Sequence, residues 1–401
     1  MYGIRRAASP CQSTFHAIIP GTAAWWAVAA LLTAAPPCLA DALSTPSLSG
    51  PLAGNPNPIS FDAGPLGNIY VGGIASGFGA FTSEPETSAG DRHWRWDASN
   101  GQVFIQKTDG MFQFYVQAGA YDLPALGTPL FSAGTETEDL FSALPVAYAK
   151  FAPTGSFSIL AGKLPTLIGV ESTFTFQNMD IERGLLWNEE PAVSRGVQAN
   201  YTSGPISLSL SWNDGFYSDE FSWLSGSAAW AIDSSNSITF VGSGNLAAGT
   251  KSSFATPLYQ NNSEIFNLIY TCMASPWTIT PYLQYTDVPA SDRLGLAHSG
   301  QSLGAAILAT YNLSPSWNLA GRIEYIDSVG DTAEGAPNLL YGPGSKAWSF
   351  TVTPTWQHKI FFVRPEASFI ALSSAAPGSA LGPGLDDKNQ FRALLESGVL
   401  F

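Results

Sequence analysis

A strict alternation of apolar and polar residues runs along most of this chain. It is clearest at PISLSLSWN (205–213), WTITPYLQYT (277–286) and AWSFTVTPTW (347–356). Successive side chains of a β-strand point to opposite faces of the sheet. Each stretch therefore predicts a strand of about ten residues with one apolar and one polar face. After the N-terminus no apolar run reaches the roughly 18 residues that a membrane-spanning helix needs.

The connections between these strands alternate between short and long. Tight turns are predicted at Asp109-Gly110, 153–155 and Ser203-Gly204, among others. The long polar loops fall at about 81–100, 122–140, 165–193, 214–224, 244–262, 287–300, 327–345 and 372–390. The aromatic and basic cluster RHWRW (92–96) lies within the first of them. Short turns at one end and long loops at the other are typical of a transmembrane barrel, whereas a soluble sandwich has no reason to separate them.

The alternation predicts an all-β fold, a transmembrane antiparallel up-and-down β-barrel of about 16 strands over residues 66–401. The strands are predicted near 66–80, 101–107, 111–121, 141–152, 156–164, 194–202, 205–213, 225–232, 237–243, 263–271, 277–286, 301–311, 317–326, 346–356, 360–371 and 391–401. A barrel of this size is wide enough to leave an open lumen. In FRALLESGVLF (391–401) the alternation continues to the last residue, so the last strand is expected to pair with the first and remove both sheet edges.

The N-terminus has the features of an export signal. Arg5 and Arg6 precede the apolar stretch AAWWAVAALLTAA (23–35), and small residues at Cys38 and Ala40 would suit cleavage before Asp41. Residues 1–40 are therefore predicted to be a signal peptide. The Pro-, Ser- and Gly-rich stretch 41–65 is predicted to be a flexible periplasmic lead-in.

Charge and composition exclude several functions. After residue 40 the chain carries 15 basic and 31 acidic residues, a net charge of −16, which argues against nucleic-acid binding. Its histidines there are His93, His298 and His358, and no nucleophile elbow, His-Glu-x-x-His motif or paired-cysteine metal signature accompanies them. We therefore expect neither an enzyme nor a cofactor.

Two stretches resemble the OmpL-like β-barrel porin family. They are LAGKLPTLIGVESTFTFQN (160–178) and SRGVQANYTSGPISLSLSWNDGF (194–216). The resemblance implies passive diffusion across a bacterial outer membrane and carries no catalytic residue with it. The chain end also resembles the C-terminal signal of outer-membrane proteins, which implies that Phe401, Val399 and Leu395 are read by the barrel-assembly machinery.

The longest loop carries most of the candidate pore residues. Residues 164–193 hold five acids and one base: Glu171, Asp180, Glu182, Arg183, Glu189 and Glu190. Folded into the lumen, these carboxylates would narrow the pore and favour cations. The other interpretation is a solvated outer loop whose carboxylates bridge divalent cations to lipopolysaccharide.

A second set of charged residues falls on the polar phase of the strands. It comprises Lys150, Arg322, Glu324, Arg364, Glu366, Arg392 and Glu396. A water-filled wall can hold such groups without the cost of burying a charge. They are predicted either to set a transverse field across the pore or to form ion pairs that stiffen the wall.

These observations predict an outer-membrane channel for small hydrophilic solutes or ions, with a weak preference for cations. The alternative is a barrel with a closed lumen that serves adhesion or envelope structure. The expected partners are outer-membrane lipid and lipopolysaccharide, and the sequence is also compatible with a homo-oligomer.

Overall fold

Sixteen antiparallel strands close into a single barrel within residues 50–55 and 57–401, the part of the chain that the computed structural model describes. After the short β1 (Ile59–Asp62), the barrel strands are β2 (Asn68–Thr82), β3 (Trp94–Lys107), β4 (Phe112–Tyr121), β5 (Val146–Phe151), β6 (Phe157–Pro165), β7 (Val193–Ser203), β8 (Ile206–Asn213), β9 (Trp223–Ala231), β10 (Asn236–Asn245), β11 (Glu264–Ala274), β12 (Trp277–Val288), β13 (Gly300–Ser314), β14 (Trp317–Val329), β15 (Lys346–His358), β16 (Phe361–Ser374) and β17 (Asn389–Leu400). Each barrel strand pairs with the next.

The alternation of the sequence becomes the two faces of this wall. On β8, Leu208 and Leu210 are exposed on the outside, while Ser207 and Ser209 face inward. Tight turns join β3 to β4, β5 to β6 and so on at one end of the barrel, the short-turn end. Connections of nine to 27 residues gather at the other, the long-loop end. The predicted fold class is confirmed.

The last strand closes the barrel against the first barrel strand. Val399 pairs with Ala75 and Leu395 with Gly79. At the chain end, Phe401 and Gly73 exchange two backbone hydrogen bonds, of 2.8 and 2.9 Å. Phe391, Ala393, Leu395 and Val399 face outward, whereas Leu394 and Leu400 are buried on the inner face. The final strand therefore leaves no free edge and continues the apolar outer surface.

The first long loop is shorter than the sequence predicts. Residues 94–100, expected within loop 81–100, belong to β3 and pair with β2. Trp94 and Trp96 point outward, and Arg95 pairs with Asp97 on the inner face at 3.4 Å. RHWRW (92–96) was assigned to a loop because of its charged residues, although its alternation of outward and inward side chains is intact. Conversely, residues 141–145, predicted to begin a strand, lie in the loop before β5.

Helical structure in the described residues is short. It comprises α1 (Ala133–Glu136), a π-helical turn at Thr137–Phe141 and 3₁₀ turns at Gly64–Leu66, Thr87–Ala89, Thr175–Gln177, Leu186–Glu189, Gln260–Asn262, Asp292–Leu294 and Thr332–Glu334. None of the helices in this part of the chain is long and apolar enough to cross a membrane.

Part of the predicted lead-in contacts the barrel. Leu52 is buried in an apolar cluster with Phe104 and Phe176, and Ala53 exchanges two backbone–side-chain hydrogen bonds with Gln357. Residues 59–62 pair with the start of β2. The predicted signal peptide, 1–40, lies outside the described residues, as does the lead-in up to residue 49.

Candidate functional site

The charged wall residues occupy the inner faces of β14–β17, which we call the arginine wall. Arg322 and Glu324 lie on β14, and the other four on β16 and β17 are Arg364, Glu366, Arg392 and Glu396. Their side chains are buried. The strand alternation aims them at the lumen, so something inside the barrel must cover them.

Residues 164–193, hereafter the lumen segment, provide this cover. Arg322 pairs with Glu171 at 2.5 Å and with Asp180 at 3.5 Å. Arg392 pairs with Glu182 at 2.8 Å. The lumen segment therefore lies within the barrel, and three of its five acids face arginines of the wall.

Backbone groups of the lumen segment bind the carboxylates of the same wall. Glu324 accepts hydrogen bonds from the backbone N–H of Leu185 and Leu186, at 2.9 and 3.3 Å. Glu366 accepts from Ile181 and from Glu182, the latter at 3.0 Å. A carboxylate that is shielded from water is stabilised by such donors. The carboxylates of the arginine wall therefore fix the course of the irregular backbone of the lumen segment.

Arg364 also binds the backbone of the lumen segment. Its guanidinium donates to the backbone oxygens of Asn178 and Thr175, both at 3.0 Å, and it pairs with Glu396 on the neighbouring strand. Glu396 in turn accepts from Thr175 at 2.9 Å. Of the two predicted roles for the wall charges, ion pairing is therefore the arrangement that the contacts show at these residues.

Glycine is required where the lumen segment passes closest to the wall. A Cβ at Gly184 would overlap the carboxylate of Glu324. The next donors along the chain, Leu185 and Leu186, reach that same carboxylate only because the backbone approaches so closely.

Arg183 differs from the wall arginines. It is fully buried, yet none of its guanidinium nitrogens has a hydrogen-bond partner within the described residues. Its guanidinium carbon lies 5.0 Å from the ring centroid of Trp187. Its backbone is held by Pro124 and Leu126 at 3.0 and 2.9 Å, so the lumen segment is tied to the loop that precedes β5.

Glu189 and Glu190 form no ion pair in the described part of the chain. Glu189 accepts a hydrogen bond from Ser302 at 2.5 Å. Glu190 is 4% exposed, and within residues 50–55 and 57–401 neither of its oxygens has a hydrogen-bond partner. Burial raises the pKa of Glu190 well above its usual range, with neighbouring carboxylates adding to the effect. The two acids of the lumen segment that no arginine faces therefore lie together at its C-terminal end.

The opposite side of the lumen is lined by small polar side chains. On β7–β12, which we call the polar wall, Asn200, Ser209, Thr239, Thr271 and Thr280 point inward and remain partly exposed. Since these side chains face the interior, their exposed surface must border free space inside the barrel. Lys150, on β5, is likewise half-buried and has no ion-pair partner among the described residues.

These polar-wall residues were not among the predicted site residues. The available signal was the contrast between β7–β12, whose inward-facing residues are uncharged, and the strands whose inner faces carry Arg and Glu. Because ion pairs hold the lumen segment against the charged strands, the partly exposed inner residues lie along the uncharged strands.

The lumen segment also contacts the polar wall toward the long-loop end. The backbone N–H of Gly169 donates to Asn267 at 3.0 Å, and Gln284 donates to the backbone oxygen of Leu186 at 3.0 Å. Asn267 and Gln284 are buried. Around this level Ile168 packs with inward-facing apolar residues of β10–β13, including Val241, Ile269, Tyr282 and Leu308. At this level the lumen segment therefore contacts the polar wall as well as the arginine wall.

Comparison with known families and structures gives a consistent result. Residues 68–401 match the family model described as "Putative beta-barrel porin-2, OmpL-like". No curated protein matches the chain.

Several solved structures share the fold. The outer-membrane-expressed OmpT of Vibrio cholerae is 10% identical, with a TM-score of 0.54 over 85% of this chain and 100% of that one. A trimer form of in-vitro folded OmpT, from the same organism, gives 8% and 0.52 over 83% and 99%. OmpF of Salmonella typhi, in complex with daunomycin, gives 12% and 0.54 over 83% and 98%. At these identities the likeness shows the fold alone.

Proposed function

Since the chain belongs to the OmpL-like beta-barrel porin-2 family, we propose that this porin-like outer-membrane barrel is a passive, water-filled channel for small hydrophilic solutes. The observation that carries the proposal is the partial exposure of the inward-facing residues of the polar wall. A solute that moves along hydroxyl and amide groups can replace its hydrogen bonds to water with hydrogen bonds to the wall or to bridging waters, at little cost in free energy. No catalytic role is proposed for any residue.

The lumen segment is proposed to set the width of this path. Its contacts with the arginine wall fix one edge of the opening, because breaking a buried ion pair leaves an uncompensated charge. The acidic residues at 171, 180 and 182 serve mainly to hold that edge in place, since arginines face them. Glu189 and Glu190, which have no such partner, are the residues proposed to act on a passing ion.

A weak cation preference follows from this distribution. In a narrow opening a fixed charge acts strongly on an ion, whereas charges beyond about 8 Å are screened at physiological salt. Lys150, on the inner face of β5, carries a positive charge that opposes the effect, so we propose a preference rather than exclusion.

Single-channel recording in planar bilayers tests the proposal. Stepwise conductance, with a reversal potential in a salt gradient that favours cations, is the expected result. Glu190→Gln should reduce that preference, while Glu138→Gln, an exposed change in an outer loop, should not. Anion preference in the wild type would refute the role of the two glutamates.

One observation favours a second candidate, the closed-lumen barrel with an adhesive or structural role. The inward-facing residues of the polar wall near the long-loop end, among them Ser211, Asn267, Gln284 and Thr286, are buried. A protein that inserts correctly and shows no conductance steps would favour this candidate over the channel.

The remaining partners are proposed from the outer surface and the chain end. The apolar outer face, with Trp212, Trp277 and Trp317 exposed near strand ends, suits lipid and its interfaces. Phe401, Val399 and Leu395 are proposed as the contacts of the barrel-assembly machinery, and lipopolysaccharide as the lipid at the long loops. A homo-oligomer is a further proposal, testable by native mass measurement in detergent.

A further inference from the structure

A cavity opens at the long-loop end, beside the lumen segment. It has a volume of about 500 Å³ and is bordered by parts of five connections, those before β5, β7, β9, β11 and β15. This volume lies within the range of sites for small organic molecules. We call it the outer cavity.

The walls of the outer cavity are mainly aromatic and aliphatic. Phe131 and Phe254 meet edge to face with ring centroids 4.9 Å apart, and Phe141, Phe216 and Trp187 also border the space. Such walls favour a ligand with a ring or a short hydrocarbon body, because apolar surface is removed from water on both sides.

The charged side chains that line the outer cavity are Glu136 and Glu190, and no lysine or arginine is among its lining residues. Glu136 accepts a hydrogen bond from the backbone N–H of Leu123. Glu190 is only 4% exposed, and neither of its oxygens has a hydrogen-bond partner among the described residues. A buried carboxylate without a partner is costly, and a cationic ligand would supply the missing partner.

Trp187 offers a third polar feature. Its indole nitrogen is buried and has no hydrogen-bond partner in the described residues, and one side of its ring is taken by Arg183. In a cavity that also contains two carboxylates, the ring of Trp187 can contact the apolar body of a ligand, and its N–H can donate to a hydrogen-bond acceptor of the same ligand.

We propose that the outer cavity is a binding site for small organic cations, with the ammonium group of the ligand beside Glu190 and its apolar body between the aromatic walls. The proposal deepens the proposed function, on which it rests for the claim that the ligand is a transported solute. Binding itself does not require that the lumen conduct.

Calorimetric titration of the refolded protein with three matched probes tests this. The probes are phenethylammonium, the neutral 2-phenylethanol and the anionic 3-phenylpropanoate. The ammonium probe should bind at least about tenfold more tightly than the alcohol, since a charge-assisted hydrogen bond is worth about that much. The anion should show no binding at the same concentrations.

Variants assign the effect to Glu190. Glu190→Gln should remove most of the tenfold advantage of the ammonium probe and leave alcohol binding unchanged. Glu138→Gln is the matched control, because it makes the same change on an exposed side chain two residues from Glu136; it should change neither. Equal affinities for the ammonium and alcohol probes in the wild type, or an unaltered ratio in Glu190→Gln, would overturn the proposal.

Further measurements distinguish a variant that fails to fold from one that folds and fails to bind. Circular dichroism and heat-modifiable migration report whether each variant folds, and if Glu190→Gln does not, the wild-type probe series and Glu136→Gln decide the question. Binding without conductance would refute the channel and keep the site. Conductance without preference for the ammonium probe would refute the site and keep the channel.

Discussion

Arg322→Met would remove the cation that Glu171, Asp180 and Glu324 share. The guanidinium lies 2.5, 3.5 and 3.3 Å from these carboxylates and also donates to the backbone oxygen of Glu182 at 2.9 Å. Methionine keeps much of the volume and removes the charge. Leaving a buried charge unpaired costs roughly 3–5 kcal/mol.

That cost acts on the docking of the lumen segment rather than on the barrel. The strand ladder does not depend on Arg322, so the barrel should remain folded. A shift of 3–5 kcal/mol changes the ratio of docked to undocked segment by roughly a hundredfold to several thousandfold. We expect a larger, noisier single-channel conductance and faster proteolysis within 164–193.

The control is Arg293→Met, which makes the same substitution on an exposed loop residue without an ion pair in the described residues. The double variant Arg322→Met with Glu171→Gln should recover part of the loss, because it neutralises one orphaned carboxylate. If Arg322→Met changes neither conductance nor proteolysis, the ion pairs do not hold the lumen segment and the account of the arginine wall is refuted.

Three further predictions follow from other contacts. Because burial raises the pKa of Glu190 and of Glu189, their charges appear only at higher pH, and the cation preference should therefore grow as pH rises from 5 to 9. The reversal potential of Glu190→Gln should change less over this range, because only Glu189 of the two still titrates. Gly184→Ala should destabilise the docked segment by about 1–3 kcal/mol, since a Cβ there overlaps Glu324, and faster proteolysis within 164–193 would report this. The control Gly101→Ala, which has open space around its Cβ position, should leave the rate of proteolysis unchanged. Phe401→Ala should slow assembly in cells yet allow refolding in detergent, because the backbone bonds of Phe401 to Gly73 remain.

The strands were predictable because alternation is a local property. Predicted strand 205–213 corresponds to Ile206–Asn213, and 277–286 to Trp277–Val288. The error at 94–100 has a physical cause: Arg95 and Asp97 face a polar interior, where charge does not interrupt a strand. Charged residues are evidence against a strand only when both faces are dry.

The interior of the barrel was predictable only in part. The charge of residues 164–193 and their place in the lumen could be expected from loop length and composition. Which acid meets which arginine could not, because Glu182 and Arg392 are 210 residues apart and meet only through closure and stagger of the barrel. That the acids act on passing ions stays a prediction.

The open path along the polar wall is the central claim, and blocking it from within tests it most directly. In a Cys272→Ala background, Thr239→Cys places a thiol on the inner face of β10, and Phe240→Cys places one on the outer face next to it. A bulky, charged sulfhydryl reagent added during single-channel recording should lower the conductance of Thr239→Cys in one step and leave Phe240→Cys unchanged. Unaltered conductance in Thr239→Cys after confirmed labelling would contradict the claim.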